Sequence, residues 1–287
     1  MVKLEQISKR QALRAKVGYF ALVALIIAIP VTLVTITYII PFFRSFAVSF
    51  EYRGGISLGN YARVMDIYLG DIIFTIFVSV VSLVCVMAIA IFIGGWLTIR
   101  SNRIIEFLFK IPLFIPWVVV GHAMRTFLAP RGLLNSMLSQ IGLVDITNPP
   151  NIIFGALGII ISLTWKQMAF ALLLMMAAFR SVDRSYLEAS RNYGASTFRQ
   201  ITGILFPLSR GAIGVTSVLI LTSFLQNFSV VMMMGNAGGS RHIMINIFNI
   251  MTHMNDLPLA NALGVVSYIL ALGAAIVYLK AGFKKNA

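Results

Sequence analysis

At 287 residues, 59% of them apolar and only 11% charged, the chain is too poor in charge for a soluble domain, where roughly a quarter of residues are charged. The net charge of +14 does not point to nucleic acid, because the basic residues lie between apolar runs and form no basic face interleaved with aromatics. Cys85 is the only cysteine, which excludes an intrachain disulfide, and His122, His242 and His253 are scattered without metal-ligand or catalytic-triad spacing.

The chain opens on a basic tail, 1–16, with Lys3, Lys9, Arg10, Arg14 and Lys16. The apolar run that follows is too long for a signal peptide and lacks a small-residue cleavage site, so it reads as a retained membrane span. Six spans are predicted, at 17–43, 72–98, 104–126, 152–178, 207–235 and 259–280. Each reaches the roughly 20 residues that a helix needs to cross a ~30 Å hydrocarbon layer. Helices satisfy their own backbone groups in lipid. The third span carries Glu106 and Lys110 near one end and Pro112 and Pro116 inside it, which predicts a kink or an offset start. The fold class is therefore all-α, a polytopic membrane protein with six transmembrane helices.

Between the spans, 44–71, 127–151 and 236–258 read as the longer irregular loops, with Gly54-Gly55, Pro149-Pro150 and Gly238-Gly239 at their turns. Phe42, Phe43, Phe50, Tyr52 and Tyr61 suit a membrane interface. Fifteen of the 23 basic residues lie on the side of both termini, which the positive-inside rule makes cytoplasmic. No internal repeat or inverted duplication is visible. The organisation read from this pattern is a cytoplasmic tail 1–16, a first helix with its outer loop 17–69, a core of five helices over 70–280 that contains loop 180–207, and a cytoplasmic tail 281–287.

Loop 180–207 is the most informative stretch. Ser185 with Glu188, and Thr197 with Gln200, have capping-box spacing. Gly194 can end a helix in the left-handed conformation, and Pro207 stops the second helix before it. Two short helices with a tight bend at Gly194 are predicted. Phe198, Ile201 and Ile204 or Leu205 form one apolar stripe; Tyr186, Ala189 or Ser190, and Tyr193 form another. Glu188 can pair with Arg184 or Arg191 across a turn. Such a hairpin is either a docking knob or a capped connection between two spans.

Glu188-Ala189-Ser190, then Gly194, Ile204 and Phe206-Pro207 resembles the Glu-Ala-Ala signature of permease subunits of binding-protein-dependent type I ABC importers. The spacing is intact. Ser190 replaces the second Ala and Phe206 the Leu, both mild departures. The resemblance implies that Glu188, Ala189, Ser190, Gly194, Ile204 and Pro207 belong to a coupling helix seated on a cytoplasmic ATPase. It further implies a second permease, homologous or identical, two ATPase subunits that bind ATP and Mg, and an extracytoplasmic solute-binding protein, all in a prokaryotic inner membrane. No phosphate-binding loop occurs in the chain, so the ATP chemistry falls to other subunits and this chain needs no cofactor.

Polar groups inside spans are costly and by default suggest function. Lys166, beside Trp165 and Gln167, is either a pore or gate residue or a lysine paired with a neighbouring subunit or snorkelling to the surface. Ser223, Gln226 and Asn227, at i, i+3 and i+4, share one face of a helix that either bonds another helix or faces solute. Met232-Met233-Met234 reads as flexible gate or core filling. The solute is a small polar molecule: Gly235 to Ser240 resembles polyamine permeases, the Trp165-Lys166 neighbourhood resembles sugar permeases, and a central lysine disfavours a cation. An ion-gradient-driven transporter or channel, with Lys166 as the coupling group, is the alternative.

Overall fold

The computed structural model describes Tyr19 and residues 23–153, 155–234 and 241–283. The tail 1–16, the start of the first expected span, the Gly235 to Ser240 stretch and the last four residues lie outside the described residues. Helix α1 spans Val23–Val48, and a two-residue hairpin pairs Glu51–Tyr52 (β1) with Gly55–Ile56 (β2). Then come α2 (Gly59–Ile99), α3 (Arg103–Lys110) with a 3₁₀ turn at Ile111–Phe114, α4 (Trp117–Phe127), α5 (Leu133–Gln140) and α6 (Ala156–Arg180). The rest is α7 (Arg184–Asn192), α8 (Thr197–Leu208), α9 (Arg210–Leu225), α10 (Ser229–Met234), α11 (Ile243–Met254) and α12 (Leu257–Phe283). The architecture is helical, as the composition predicts.

Among the described residues three helices are long and apolar enough to cross a membrane, and five spans result if each bent pair counts as one. The sixth expected span lies on α12. The kink foreseen in the third span is a break of 106° between α3 with its 3₁₀ turn and α4. Pro116 begins the second arm, and its ring forbids continuation of the ladder. The fifth span departs from expectation. It bends by 81° between α8 and α9, then ends at Leu225, so Gln226 and Asn227 lie in a gap before α10.

The loop expected at 44–71 is largely helix. α2 runs for 41 residues, about 60 Å at ~1.5 Å per residue and twice the hydrocarbon thickness. Its first four turns carry Arg63, Asp66 and Asp71, which lower hydropathy without opposing helix formation. Two of those charges have partners: Arg63 pairs with Asp256 at 2.9 Å, and Asp71 accepts from Arg241 N at 2.6 Å and Asn246 Nδ2 at 2.7 Å. Thr75 Oγ1 accepts from Ile243 N at 2.9 Å. The loops expected at 127–151 and 236–258 likewise hold α5 and α11. Lipid tails are as apolar as leucine, so interhelical polar bonds of this kind, worth about 0.6–2 kcal/mol each, set which helices associate.

The main core lies where α2 packs along α6, with Val78, Val86 and Ala90 against Leu163, Ala171 and Met175, and is closed by Phe224 of α9 and Val230 and Met234 of α10. A second core joins the first turns of α2 to α11 and α12 through Val64, Tyr68, Ile72, Ile243, Leu259 and Leu263. Asn135, fully buried, ties the α4–α6 connection by donating to the carbonyls of Ala129, Pro130 and Pro150 at 3.0–3.3 Å. Asn135→Ala leaves these acceptors bare and is expected to cost about 1–3 kcal/mol, read as a lowered thermal midpoint of the detergent-solubilised protein; an unchanged midpoint would contradict this role.

Candidate functional site

Two places gather the polar residues singled out by sequence: the α7–α8 hairpin at one end of the bundle, and a cleft between α4, α6 and α9. The hairpin begins where α6 ends at Arg180. The residue that caps α7 is Asp183, not Ser185: its Oδ1 accepts from Ser185 N at 2.9 Å. Aspartate satisfies a free N–H at least as well as serine and adds a charge favourable to the helix N-terminus. The Ser185 N–H, and then its hydroxyl, hold the Asp183 carboxyl below the ordinary value of 3.8. The cap is therefore complete above that value and is lost as pH falls through the lower folded one. The protection factor of the Ser185 amide, its exchange corrected for the intrinsic pH dependence, is expected to fall on acidification across that window, and Asp183→Asn, an equally good cap without a charge, is expected to flatten the response.

The bend is built by backbone geometry. Gly194 sits at φ +78°; its N–H donates to Arg191 O at 2.9 Å, and Ala195 N donates to Ser190 O at 3.0 Å. This reciprocal pair is the Schellman closure, which needs a left-handed residue at that position. Ser196 caps α8 by accepting from Arg199 N, and Gln200, 4% exposed, donates to Ala195 O; the expected Thr197–Gln200 box is not formed. Nor does α8 stop before Pro207. A π-turn at Ile201–Leu205 shifts the ladder by one residue, so the proline ring meets no clash and its missing N–H is not needed. The chain turns only at Ser209.

What the hairpin buries and what it leaves out are distinct. Ile201 and Leu205 are buried, Ile201 so close to α2 that a Cβ on Gly95 would lie 2.8 Å from its Cγ1. Phe198 stacks on Phe92 at 5.7 Å and 5°. α7 keeps only Leu187 against the core, while Tyr186, Tyr193 and Phe198 are 57%, 92% and 61% exposed. Ala189 and Glu188 are also exposed. Ser190 folds its hydroxyl back on Leu187 O at 2.9 Å, so it presents as little reactive polarity as the alanine it replaces. The ion pair expected for Glu188 with Arg184 or Arg191 is absent among the described residues. Glu188 instead lines an open cavity of about 280 Å³ together with Arg180, Arg184, Arg191 and Gln200. Arg180 is tied to Glu106 at 3.0 Å, which anchors the root of the hairpin to α3.

In the cleft, Lys166 is 7% exposed, and its Nζ donates to the carbonyls of Pro112 and Ile115 at 2.7 and 2.5 Å. Both carbonyls lie at the break before α4, where Pro116 has no N–H to donate back to Pro112, so the lysine adds a donor to this interrupted backbone. The ammonium also lies over the Trp117 ring, 5.4 Å from its centre. It neither snorkels nor stands free. Lys166, Gln167 and Ser223 line one open space of about 400 Å³ with Trp117, Phe170, Leu113 and Leu219. Gln226 and Asn227 do not join them: Gln226 is exposed beyond the end of α9, and Asn227 accepts from Val230 N at 3.1 Å to cap α10. The shared face expected for Ser223, Gln226 and Asn227 needs a continuous helix, and the helix ends between them. Sequence reasoning missed Asp183, Ser196 and Gly95. The first two were legible as residues directly before α7 and α8; Gly95 carries no local signal.

Comparison with known proteins follows the same geometry. The sequence profile of the family described as "Binding-protein-dependent transport system inner membrane component" matches residues 55–283. The chain is 24% identical over 292 residues to the trehalose/maltose transport system permease protein MalF of Thermococcus litoralis, covering 96% of both chains. It is 23% identical over 235 residues to the spermidine/putrescine transport system permease protein PotB of Escherichia coli strain K12, covering 78% of this chain and 82% of the relative. In fold it resembles a chain in the crystal structure of a bacterial alginate ABC transporter in complex with an alginate pentasaccharide-bound periplasmic protein, with a TM-score of 0.78 at 20% identity over 92% of this chain and 94% of that one.

Proposed function

The chain belongs to the family of inner membrane components of binding-protein-dependent transport systems, and we propose that it is one of two permease subunits of an importer in which the α7–α8 hairpin receives force from a cytoplasmic ATPase. Members of this family are membrane permease subunits of ABC importers, in which ATP is hydrolysed by separate subunits. In the proposed assembly the core over 70–280 packs against a homologous or identical permease, two ATPase subunits bind ATP and Mg, and a solute-binding protein docks on the opposite face. Both termini are then cytoplasmic, in agreement with the distribution of basic residues.

The observation that carries this reading is the division of the hairpin into a seated half and a bare half. Its bend is closed by backbone bonds at Gly194, Ile201 locks it onto α2, and Tyr186, Ala189 and Tyr193 are left for a partner to cover. Glu188, Ala189, Ser190, Gly194, Ile204 and Pro207 are the residues assigned to coupling. The solute is a small polar molecule such as a sugar or polyamine, and Lys166, Gln167 and Ser223 line its path. In the gradient-driven alternative Lys166 is the coupling group; the bonds of its ammonium to two carbonyls favour a structural part for it instead. In proteoliposomes carrying the assembled transporter, uptake is expected to require ATP and to survive an ionophore; uptake driven by a gradient alone would overturn the proposal.

A further inference from the structure

Docking of a partner on α7 leaves the cavity behind that helix without a role. At about 100° of turn per residue, Arg184, Leu187, Glu188 and Arg191 fall on one face of α7, and all four line the cavity of about 280 Å³. Tyr186, Ala189 and Tyr193, the bare residues of the hairpin, fall on the opposite face. The cavity therefore lies between α7 and the ends of α2 and α6, from which Ile99 and Phe179 close it.

Its lining carries three arginines against one glutamate. Arg180 is neutralised by Glu106 at 3.0 Å, whereas the side chains of Arg184 and Arg191 form no ion pair or hydrogen bond among the described residues. Glu188 stands four residues after the first and three before the second, spacings at which helix charges pair, yet neither pair closes. Two guanidinium groups on one concavity repel each other unless an anion lies between them. Each presents N–H groups in a planar fork that matches a phosphate. Ser101 adds a hydroxyl to the same lining. Gln200, 4% exposed, donates one amide N–H to Ala195 O at 3.1 Å and keeps the other.

The surroundings select the source of that phosphate. Ile99 and Arg180 are the last residues of two membrane-spanning helices, so the cavity sits where hydrocarbon gives way to headgroups. α3, tied to Arg180 through Glu106, has the two sides of an interfacial helix. Ile105 and Phe109 pack on Leu97, Leu172 and Met176, while Ile104, Phe107 and Leu108 are 72%, 65% and 54% exposed. Its bend of 106° from α4 sets it across the direction of that helix. Basic pockets at the cytoplasmic ends of spanning helices suit anionic headgroups. The volume lies just below the ~300–1,000 Å³ of drug-sized sites, enough for a headgroup whose chains stay outside. We propose, on the reading that the hairpin is cytoplasmic, that Arg184 and Arg191 bind the phosphate of an anionic phospholipid in this cavity, which places a lipid headgroup behind α7 on the side away from its bare face.

The full chain in neutral detergent is titrated calorimetrically with dioctanoyl-phosphatidylglycerol, dioctanoyl-phosphatidylcholine and inorganic phosphate. Saturable binding of the phosphatidylglycerol is expected, at least about ten-fold tighter than that of either other probe. Arg184→Gln and Arg191→Gln are each expected to weaken it about ten-fold or more, the loss of a charge-assisted hydrogen bond. Arg199→Gln, the same charge change on an exposed residue of α8 outside the cavity, is expected to leave it unchanged. Glutamine keeps the helix propensity of arginine, and the comparison of the three probes on the unaltered chain stands even where a variant misfolds. Equal binding of inorganic phosphate or of phosphatidylcholine overturns the proposal, as does equal weakening by all three variants, which would reduce the effect to net charge. Loss of phosphatidylglycerol binding in the transporter assembled with its ATPase subunits overturns it too, because a protein would then cover the arginines. Failure of the coupling proposal has a different signature: ATP hydrolysis by the assembled transporter would be indifferent to Gly194→Pro while lipid binding persists.

Discussion

Gly194→Pro is expected to leave the chain inserted in the membrane while ATP-dependent uptake falls to background, a loss of about a hundred-fold or more. Proline fixes φ near −65°, against the +78° observed, and removes the N–H that donates to Arg191 O. Both bonds of the closure are lost together, and the angle between α7 and α8 is no longer set. The damage stays local, because α7 packs only Leu187 on the core and a side chain at 194 meets nothing within 4 Å. Gly194→Ala, strained by about 1–2 kcal/mol but retaining the N–H, is expected to show an intermediate loss. Glu188→Lys addresses the same surface without touching the fold. Glu188 is exposed and shares its cavity with three arginines, so the change adds a fourth cation where a partner would meet an anion. Uptake is expected to vanish with expression and membrane insertion unchanged. Normal uptake by both Gly194→Pro and Glu188→Lys would remove the lever role.

Gly95→Val is expected to separate ATP hydrolysis from transport. A Cβ at 95 would already lie 2.8–3.1 Å from three atoms of Ile201, and valine adds two methyls beyond it. Overpacking of this kind costs about 1–3 kcal/mol, relieved here by lifting α8 from α2. Because Phe92 and Phe198 stack beside the contact, the shift would unseat the whole first turn of α8. The expected result is hydrolysis near the wild-type rate with uptake reduced at least about ten-fold. Gly95→Val combined with Ile201→Ala restores the space and is expected to recover most of the uptake, a coupling that a double-mutant cycle measures directly. Additive losses would show that the contact carries no force.

Several features of this fold were legible before the structure, each because a residue acts on the backbone next to it. Pro116 announced the break in the third span, and Gly194, with no Cβ to oppose a left-handed turn, announced the bend. Features set by distant partners were not legible. Hydropathy started the second span only at Ile72 because Arg63 and Asp71 look like loop residues, yet Arg63 pairs with Asp256 and Asp71 accepts from the Arg241 backbone N–H and the Asn246 amide, some 170–193 residues away. The gap after Leu225 is held by Asn227 capping α10, which in sequence reads as one more polar residue in a helix. Pro207 misled in the opposite direction, since a π-turn absorbs it and no local pattern signals that turn. The cleft shows the same division. Lys166 drew attention as a buried charge, but its partners are backbone carbonyls 51 and 54 positions earlier, and carbonyls leave no trace in residue identity.

Cross-linking from the bare face of α7 tests the central claim most directly. With Cys85→Ser removing the one native cysteine, Ala189→Cys provides a single exposed thiol. In the assembled transporter it is expected to cross-link to the ATPase subunit through a short bifunctional reagent, and in sealed right-side-out cells to resist a membrane-impermeant maleimide. Labelling of that thiol from outside the cell, or a cross-link pattern without the ATPase subunit, would contradict the account.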